Sequence, residues 1–324
     1  MIKEIESNLN YAEDTTCDLK IAIILAFYNG HEFISEQIFS ILNQSHKNFV
    51  LFIFDDCSSR NFSVENYNLS FSDKAKINFS KRNQNLGYTL NFLNALNSID
   101  NSYDYYAFSD QDDIWHKDKL KNAINSLQVY SSKIPSLYGC RTELIGKNKN
   151  IKLGKSKLHK RKPSFKNAII QNIFGGNTMV FNNLAKQTIC KSIKQNKIIS
   201  HDWWCYQIIS GNGGNVIYDK RIFLKYRQHN KNLIGSNISL KSKLTRLYQI
   251  IKGEFKNKND QNLNSLIDNC DLLTLNNRNS LKNFVKARES FFLLDIFYLK
   301  KSGVTRQTFF ENLILLIGII IKKI

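Results

Sequence analysis

Phe108-Ser-Asp-Gln-Asp-Asp-Ile-Trp115 decides the fold, because it sets three carboxylates within four residues at the end of a predicted strand. The aromatic-rich segment from Tyr103 to Phe108 precedes it and has the composition of a β-strand. Apolar residues then recur at helical spacing between Lys117 and Tyr130. The carboxylates are therefore expected in a turn at the carboxyl end of a strand, where open α/β sheets bind ligands.

The three acidic residues, Asp110, Asp112 and Asp113, favour a hard divalent cation. Closely spaced carboxylates raise one another's pKa unless a cation offsets their charge. Mg²⁺ and Mn²⁺ prefer oxygen ligands and commonly complete their coordination with phosphate oxygens. The plainer interpretation is a solvated acidic turn in which Asp113 caps the following helix. An isolated Asp-x-Asp would favour that interpretation, so the metal site depends on the rest of the chain.

The 324-residue chain is strongly basic, with 46 Lys and Arg against 27 Asp and Glu and a formal net charge of +19. Such an excess indicates a polyanionic partner: nucleic acid, an anionic membrane or a phosphorylated ligand. The charge is uneven, because no acidic residue occurs between Leu144 and His201, while residues 147–166 contain eight Lys and one Arg. A solvated loop and a functional basic surface both agree with that run.

The cysteines and the first residues indicate a cytoplasmic protein. The six cysteines form no C-x-x-C pair and have no metal-ligand spacing, so we expect reduced thiols. Met1 to Lys20 is polar and mixed in charge, unlike a signal peptide. The longest aliphatic run, Leu313 to Ile321, is too short to span a bilayer. We expect a protein of the cytoplasm, or one held peripherally at the inner face of the cell membrane.

Apolar runs and helical stripes alternate along the first part of the chain. Four runs are typical of buried strands, and each ends in polar residues: Leu19 to Ala26, Asn48 to Phe54, Lys76 to Ser80 and the segment before Asp110. Helical spacing follows the first, third and fourth runs. This alternation predicts a parallel α/β sheet with one ligand-binding edge.

The pattern changes after Tyr130. We expect a strand, a basic loop and two further short strands, at Leu137 to Leu144, residues 147–166, Val216 to Tyr218 and Ile222 to Tyr226. From about Ser239 the pattern is helical, over 240–255, 263–267, 284–299 and 308–321. We therefore divide the chain into a catalytic domain, residues 1–238, and a helical C-terminal region, residues 239–324.

Six segments, in order, resemble family 2 glycosyltransferases of the GT-A fold. They are Ala26-Phe-Tyr-Asn-Gly30, Asp55-Asp-Cys-Ser-Ser59, Asn85-Leu-Gly-Tyr-Thr-Leu-Asn91, Ser109-Asp-Gln-Asp-Asp-Ile-Trp115, His201-Asp-Trp-Trp204 and Tyr226-Arg-Gln-His229. The resemblance covers about Ile21 to Asn232 and is greatest to the branch containing bacterial rhamnosyltransferases of cell-surface polysaccharide assembly. It implies a Rossmann-like mixed sheet flanked by helices, followed by a C-terminal helical appendage.

The resemblance also implies a nucleotide pocket. Ala26 and Tyr28 would line the base, and Asp55 or Asp56 would bind the base or the ribose. Arg82 would lie near the nucleotide.

Further roles concern the metal and the reaction. Asp110 would contact the ribose or the metal, Asp112 would be the main ligand of Mn²⁺ or Mg²⁺, and His229 would be a further ligand of the metal or the diphosphate. Asp202 would be the catalytic base. The expected contacts to the sugar or the acceptor are Asp113, Trp115, Gly176, Trp203, Trp204 and Arg227.

The chemistry of sugar transfer agrees with these residue types. A leaving nucleoside diphosphate needs a cation, and the acceptor hydroxyl needs a base as the new bond forms. Aromatic neighbours would desolvate the Asp202 carboxylate and stack on a sugar. Taken alone, Asp202 would better be interpreted as a helix cap, Trp203 and Trp204 as core, and His229 as structural. The joint occurrence of the six segments favours the functional interpretation.

Two positions depart from the family's pattern. Ala26-Phe27 replaces the proline that usually precedes the tyrosine of the first turn, and Cys57 replaces a common glycine. Both departures affect the expected geometry of the nucleotide pocket, but neither removes a reacting group.

Three functions compete at this point. The first is an inverting, metal-dependent glycosyltransferase that uses dTDP-L-rhamnose, or a UDP-hexose on the same scaffold, and a glycan or lipid-linked acceptor. The second is a nucleic-acid-binding protein, which the charge suggests but no recognisable module supports. The third is a glycoside hydrolase with paired carboxylates, which needs no metal or nucleotide. We favour the first, and therefore expect no nucleic-acid partner.

The C-terminal segment from Thr308 to Ile324 has two interpretations. It is apolar, short and followed by lysines, so it could be a helix packed on the catalytic domain. It could equally contact an anionic membrane surface peripherally, where an acceptor linked to lipid would be found.

Overall fold

The computed structural model of the protein describes residues 18–194, 198–229 and 254–324. The strands are β1 (Ile21–Phe27), β2 (Phe49–Asp55), β3 (Ile77–Lys81), β4 (Tyr105–Ser109), β5 (Ile114–Trp115), β6 (Ser136–Ile145), β7 (Lys152–Lys155), β8 (Val180–Asn182) and β9 (Asn215–Arg227). The helices are α1 (Ile34–Leu42), α2 (Phe71–Lys74), α3 (Tyr88–Ser98), α4 (Lys119–Gln128), α5 (Phe165–Ala168), α6 (Asn183–Ser192), α7 (His201–Gly211), α8 (Glu254–Asp268), α9 (Leu275–Glu289), α10 (Leu293–Ser302) and α11 (Phe309–Ile320).

One nine-stranded sheet has the order β3-β2-β1-β4-β8-β6-β9-β5, with β7 paired to β6. Strands β1 to β4 pair in parallel, as the alternation of apolar runs and helical stripes predicted. Beyond β4 the sheet departs from the parallel arrangement that the alternation predicted, because β8 and β5 join their neighbours β4 and β9 in antiparallel orientation. The sheet is therefore mixed, as the family resemblance implied.

Helices cover both faces of this sheet. On one face, α1 and α4 pack against alternate residues of β1, among them Ile23 and Leu25. On the other face, α3, α6 and α7 pack against Ala22 and Ile24. Because both of its faces are buried, β1 has a nearly continuous apolar sequence rather than an alternating one.

The C-terminal helices share the core of the catalytic domain. Leu266, Phe284 and Ile319 belong to the same cluster of buried residues as Trp204. The backbone N–H of Thr274 also donates to the carbonyl oxygen of Gly211 at 3.0 Å. The expected boundary near Ile238, the apolar stripe from Leu240 to Ile251 and the N-terminal tail before Asp18 lie outside the described residues.

Three local predictions were wrong. The basic loop contains the exposed strand β7, paired to β6. The two short strands after Asn215 are one strand, β9, because a register shift opposite Arg141 accommodates the polar residues that interrupt its apolar pattern. The helix expected over 284–299 is broken between α9 and α10, where Phe292 adopts a positive φ of 55°.

Candidate active site

The carboxyl ends of the parallel strands bring the predicted site residues to one edge of the sheet. In the strand register, Phe27 is paired with Asp55, and Leu25 is paired with Ser109. Tyr28 therefore follows β1, Asp55 ends β2 and Asp110 follows β4, so the three residues lie at the same edge of the sheet. The ring of Tyr28 is 48% exposed at this edge, which leaves it available to a ligand.

Gln111 connects the acidic cluster to the turn after β1, a role that the sequence analysis missed. Its side-chain oxygen accepts from the backbone N–H of Tyr28 at 2.8 Å, and its amide donates to the Tyr28 carbonyl oxygen at 3.2 Å. A Cβ at Gly30 would come within 2.2 Å of the Gln111 side chain. The only sequence signal was the position of Gln111 inside the acidic motif.

The two aspartates at the end of β2, Asp55 and Asp56, have different partners. Asp56 accepts from the backbone N–H groups of Leu86 and Gly87 at 2.9 and 2.8 Å. Asp56 therefore anchors the loop before α3, and its contact with base or ribose stays a prediction, since each carboxylate oxygen keeps a second acceptor position. Asp55 Oδ1 accepts from Ser58, whereas Asp55 Oδ2 is buried without a hydrogen-bond partner.

Arg82 lies at the end of β3, beside this loop. Its Nε donates to Asn91 Oδ1 at 2.6 Å, and its guanidinium lies over the Phe54 ring, 5.6 Å from the centroid. Burial lowers the pKa of the Arg82 guanidinium. Its backbone N–H donates to the Asp55 carbonyl oxygen at 2.8 Å, so Arg82 neighbours Asp55 rather than the acidic cluster.

The negative charges of the acidic cluster are only partly neutralised by nearby cationic side chains. Burial, followed by the charges of Asp112 and Asp202, raises the pKa of Asp110 to about 8. Lys119 lies nearby with its ammonium 3.3 Å from the centroid of the Trp115 ring, and burial lowers its pKa to about 7. The site therefore favours a cation supplied from solution.

Asp113 is the buried member of the acidic cluster, and its hydrogen bonds connect the motif to neighbouring segments. It is fully buried, accepting from Asn177 Nδ2 at 2.5 Å and from the backbone N–H of Arg227 at 3.1 Å. Burial and the neighbouring aspartates raise its pKa well above the usual range. It neither caps α4, whose N-cap residue is Asp118, nor reaches a sugar.

Arg227 joins the end of β9 to the acidic motif. Its Nε donates to the Asp112 carbonyl oxygen at 2.8 Å, its NH2 group pairs with Glu36, and its guanidinium lies over the Phe33 ring. The side chain is 2% exposed, so the expected sugar contact is wrong. Arg227 instead fixes the backbone of the metal-ligand candidate.

Asp112 and His229 form the contact best suited to a metal. His229 Nε2 lies 2.7 Å from Asp112 Oδ2, and the imidazole stacks on Phe33 with centroids 5.0 Å apart. Among the described residues, no group of three His, Cys, Asp or Glu side chains is arranged to hold an ion. One or two protein ligands completed by phosphate oxygens are nevertheless usual for Mg²⁺, so the donor types of Asp112 and His229 agree with such an ion.

Asp202 lies in the first turn of α7. Ser200 occupies the N-cap position, so the helix-cap interpretation of Asp202 is wrong. The carboxylate accepts from the Ser200 hydroxyl and from the Trp203 backbone N–H, the latter at 2.7 Å. The adjacent His201 ring lies 5.2 Å from the Phe108 ring of β4, so the start of α7 lies beside the strand that precedes the acidic motif. The charge of Asp202 contributes to the raised pKa of Asp110.

The remaining predicted sugar contacts belong to the protein interior. Trp204 is 0% exposed and donates to Ser192 Oγ at 2.9 Å, and Trp115 is buried against Lys119. Both predictions are therefore wrong. Trp203 is half-buried and donates from Nε1 to the Ala168 carbonyl oxygen at 2.6 Å.

Gly176 is buried as well, so it does not contact a sugar. A Cβ there would lie 2.2 Å from His201 Nε2. Gly176 therefore makes room for the His201 imidazole, which stacks on Phe92 with centroids 4.1 Å apart.

Comparison with known proteins identifies the family of the chain. The model of the family "Glycosyl transferase family 2" matches residues 22–189. The chain is 31% identical over 255 residues to the dTDP-rhamnosyl transferase RfbG of Shigella flexneri, covering 75% of this chain and 85% of that protein. It is 32% identical to the Escherichia coli protein WfgD, named UDP-Glc:alpha-D-GlcNAc-diphosphoundecaprenol beta-1,3-glucosyltransferase, over 40% of this chain and 49% of WfgD.

Among solved structures, Staphylococcus aureus TarS 1-349 in complex with UDP-GlcNAc shares the fold. The TM-score is 0.50 at 13% identity, over 88% of this chain and 90% of that one. The family match covers more than half of the chain, and the likeness to RfbG covers most of both proteins. The chain therefore belongs to glycosyl transferase family 2 and is a nucleotide-sugar glycosyltransferase.

Proposed function

We propose that the protein transfers L-rhamnose from dTDP-L-rhamnose to a glycan or lipid-linked acceptor during synthesis of a bacterial capsule or O-antigen. The likeness to a dTDP-rhamnosyl transferase over most of both chains supports this donor. The name of WfgD, which includes a diphosphoundecaprenol acceptor, supports polysaccharide assembly on a lipid carrier. The reaction would take place in the cytoplasm, at the inner face of the cell membrane when the acceptor is lipid-linked.

The position of Asp202 at the start of α7, next to His201 and beside the end of β4, supports the mechanism that we propose. Asp202 accepts the proton of the acceptor hydroxyl while the oxygen of that hydroxyl attacks the anomeric carbon. The bond from that carbon to the diphosphate oxygen breaks on the opposite side, and the electron pair leaves with the diphosphate. Attack and departure on opposite faces invert the anomeric configuration.

The nucleotide would bind between the first two strand ends. Tyr28, with its exposed ring, would stack on the base beside Ala26. Asp55 Oδ2, buried and lacking a partner, is an acceptor for the imide N–H of thymine or uracil. Arg82 lies beside Asp55 and would add positive charge near the nucleotide.

Asp110, Asp112 and His229 would hold Mn²⁺ or Mg²⁺ together with the donor diphosphate. When bound, the cation neutralises the negative charge that the leaving diphosphate acquires. Arg227 and Asp113 would keep this segment in place, because both are buried. The Arg227 backbone N–H donates to the Asp113 carboxylate, and Arg227 Nε donates to the Asp112 carbonyl oxygen.

A UDP-hexose is the second candidate donor, because the name of WfgD specifies UDP-Glc. Thermal unfolding in the presence of Mn²⁺ and either dTDP or UDP distinguishes the two donors. A ligand at a hundred times its Kd stabilises the folded state by about 2.7 kcal/mol, which raises Tm by a few degrees. We expect a larger rise with dTDP. A rise in Tm with UDP alone would show that the donor is a UDP-hexose and not dTDP-L-rhamnose, and would leave the proposed reaction class unchanged.

A further inference from the structure

The last two helices form an antiparallel hairpin on the catalytic domain. Helix α11 starts with a capping box between Thr308 and Glu311. Its far end returns to the start of α10, where Lys322 Nζ donates to the Ser290 carbonyl oxygen and lies 3.6 Å from Asp295. We call residues 290–324 the C-terminal hairpin.

The inner side of the hairpin is packed. Leu315, Ile319 and Ile324 are buried in the core cluster that also contains Phe284. A Cβ at Gly318 would lie 2.3 Å from Ile324 Cδ1, so this side has no spare room. The hairpin is therefore packed against the catalytic domain through its inner side, and the exposure of its outer side does not result from a detached helix.

The outer side of the hairpin is apolar but uncovered. Four phenylalanines there are 74–82% exposed: Phe291, Phe292, Phe309 and Phe310. The exposed aliphatic residues that accompany them include Leu293, Leu294, Leu313, Ile314, Ile317 and Ile321. Positions 310, 313, 314, 317 and 321 repeat at helical spacing, so they form a continuous stripe along α11. A contiguous apolar surface of this kind marks an interaction site.

Basic residues surround this outer side. Lys300, Lys301 and Lys323 are exposed at its ends. The acid-free basic segment is attached beside it, because Lys157 Nζ donates to Glu311 Oε1 at 2.6 Å and the Arg161 backbone N–H donates to Gln307 Oε1 at 3.1 Å. The exposed side chains of that segment include Lys155, Lys160 and Lys162.

We propose that the outer side of the C-terminal hairpin docks on an anionic lipid bilayer, with its phenylalanines in the headgroup region and its lysines on the lipid phosphates. An amphipathic helix with a basic rim binds membranes in this way. Among the described residues, no helix is long and apolar enough to cross a membrane. The 12 residues of α11 extend only about 18 Å, against a hydrocarbon core of about 30 Å.

The charge argues against a second copy of the chain as the occupant of this face. Two copies pairing through their hairpins would bring two lysine rims together, and like charges oppose association. An anionic bilayer instead complements the rim. Docking would also bring the catalytic domain to the surface where a lipid-linked acceptor is found, although this inference does not depend on the identity of the donor.

Flotation of the full-length protein with vesicles tests the proposal. We expect the wild type to float with vesicles of phosphatidylethanolamine and phosphatidylglycerol, and to float less with pure phosphatidylcholine. Replacing Phe309 and Phe310 together by Ser should weaken binding to anionic vesicles by at least about tenfold for each ring. Lys300→Gln with Lys301→Gln should weaken binding to anionic vesicles alone.

Phe71→Ser is the matched control, since Phe71 is 90% exposed but lies on α2, outside the hairpin. It should float like the wild type, and all variants should keep the wild-type Tm because no buried contact is removed. Equal flotation of the wild type and the Phe309/Phe310 variant would overturn the proposal. So would failure of the wild type to float, or a dimer in sedimentation equilibrium that is lost in that variant without any binding to vesicles.

Discussion

His229 Nε2 lies 2.7 Å from Asp112 Oδ2, although the two residues are 117 positions apart in the chain. Arg227 holds the same pair of segments together through the Asp112 carbonyl oxygen. The acidic motif after β4 is therefore completed by the end of β9. The chemistry that we propose depends on this contact, because it brings an imidazole and a carboxylate to one point beside Asp110.

Replacement of Asp112 tests the metal site. Asp112→Asn should lower transfer in Mn²⁺ by more than about a hundredfold, since even the partners of metal ligands contribute about 10- to 100-fold. Asp271→Asn is the control, because Asp271 is exposed and lies outside the site. Transfer and Tm should be measured for both. Full turnover of Asp112→Asn in the presence of a chelator would contradict the assignment.

Replacement of Asp202 tests the catalytic base. Asp202→Asn should lose a factor of about 10² to 10⁴ in turnover, the usual contribution of a positioned base, while nucleotide binding persists. Ser200→Ala removes the hydroxyl that donates to Asp202 but leaves the carboxylate, so it should lose far less. Loss of nucleotide affinity with normal turnover would make Asp202 a binding residue instead.

Cys57 provides a test of backbone strain near the nucleotide pocket. Its φ is 66°, a left-handed conformation that costs a side chain about 1–2 kcal/mol and that glycine adopts without strain. Cys57→Gly should therefore raise the free energy of unfolding, by about 1 kcal/mol at most, because glycine also loses more backbone entropy. Cys57→Val should lower it. Denaturant unfolding of the three proteins should give the order Gly, Cys, Val, and the reverse order would exclude strain at this position.

His201 predicts a loss of stability in acid. Its imidazole is buried against Phe92 without a hydrogen-bond partner, and burial lowers its pKa to about 4. Below the unfolded pKa of about 6.5, the unfolded chain binds a proton that the folded chain does not. Folding should therefore lose up to about 3 kcal/mol as the pH falls from about 6.5 to 4.

His201→Gln cannot titrate, so its unfolding free energy should change less over this range. The quantity to compare between this variant and the wild type is the change in the free energy of unfolding from pH 7 to pH 5, not the free energy at a single pH. His159, whose pKa burial also lowers to about 4, should leave part of the acid dependence in the variant. An unchanged pH dependence in His201→Gln would show that His201 is not the group responsible.

Local sequence was sufficient to predict the strand ends and their carboxylates. Buried strands such as β1 are continuous apolar runs, and the residues that follow them are polar because they lie at an open edge. Asp110 and Asp112 were found for this reason. The capped helix at Thr308 was also predictable, since its start signal lies within four residues.

The features that were missed depend on contacts between distant segments. Nothing near Trp204 in the sequence distinguishes a tryptophan that is 0% exposed from one that stacks on a sugar. The partners of Arg227, namely Glu36 and the Asp112 carbonyl oxygen, are 191 and 115 positions away. The C-terminal segment kept two interpretations at the sequence level for the same reason, because an apolar helix has the same sequence pattern whether its stripe is covered or exposed.

The short strand β5 has a consequence for engineering the enzyme. Its two residues pair with β9 directly after the acidic motif. The motif is therefore held at both ends: β4, before it, pairs with β1 in the parallel half of the sheet, and β5, after it, pairs with β9 in the other half. A fragment ending at residue 189, where the family match stops, would keep the strands of the proposed nucleotide pocket but lose Asp202 and His229. Chimeras that exchange donor preference should therefore be joined before Ser109 and keep β5 and β9 from one parent.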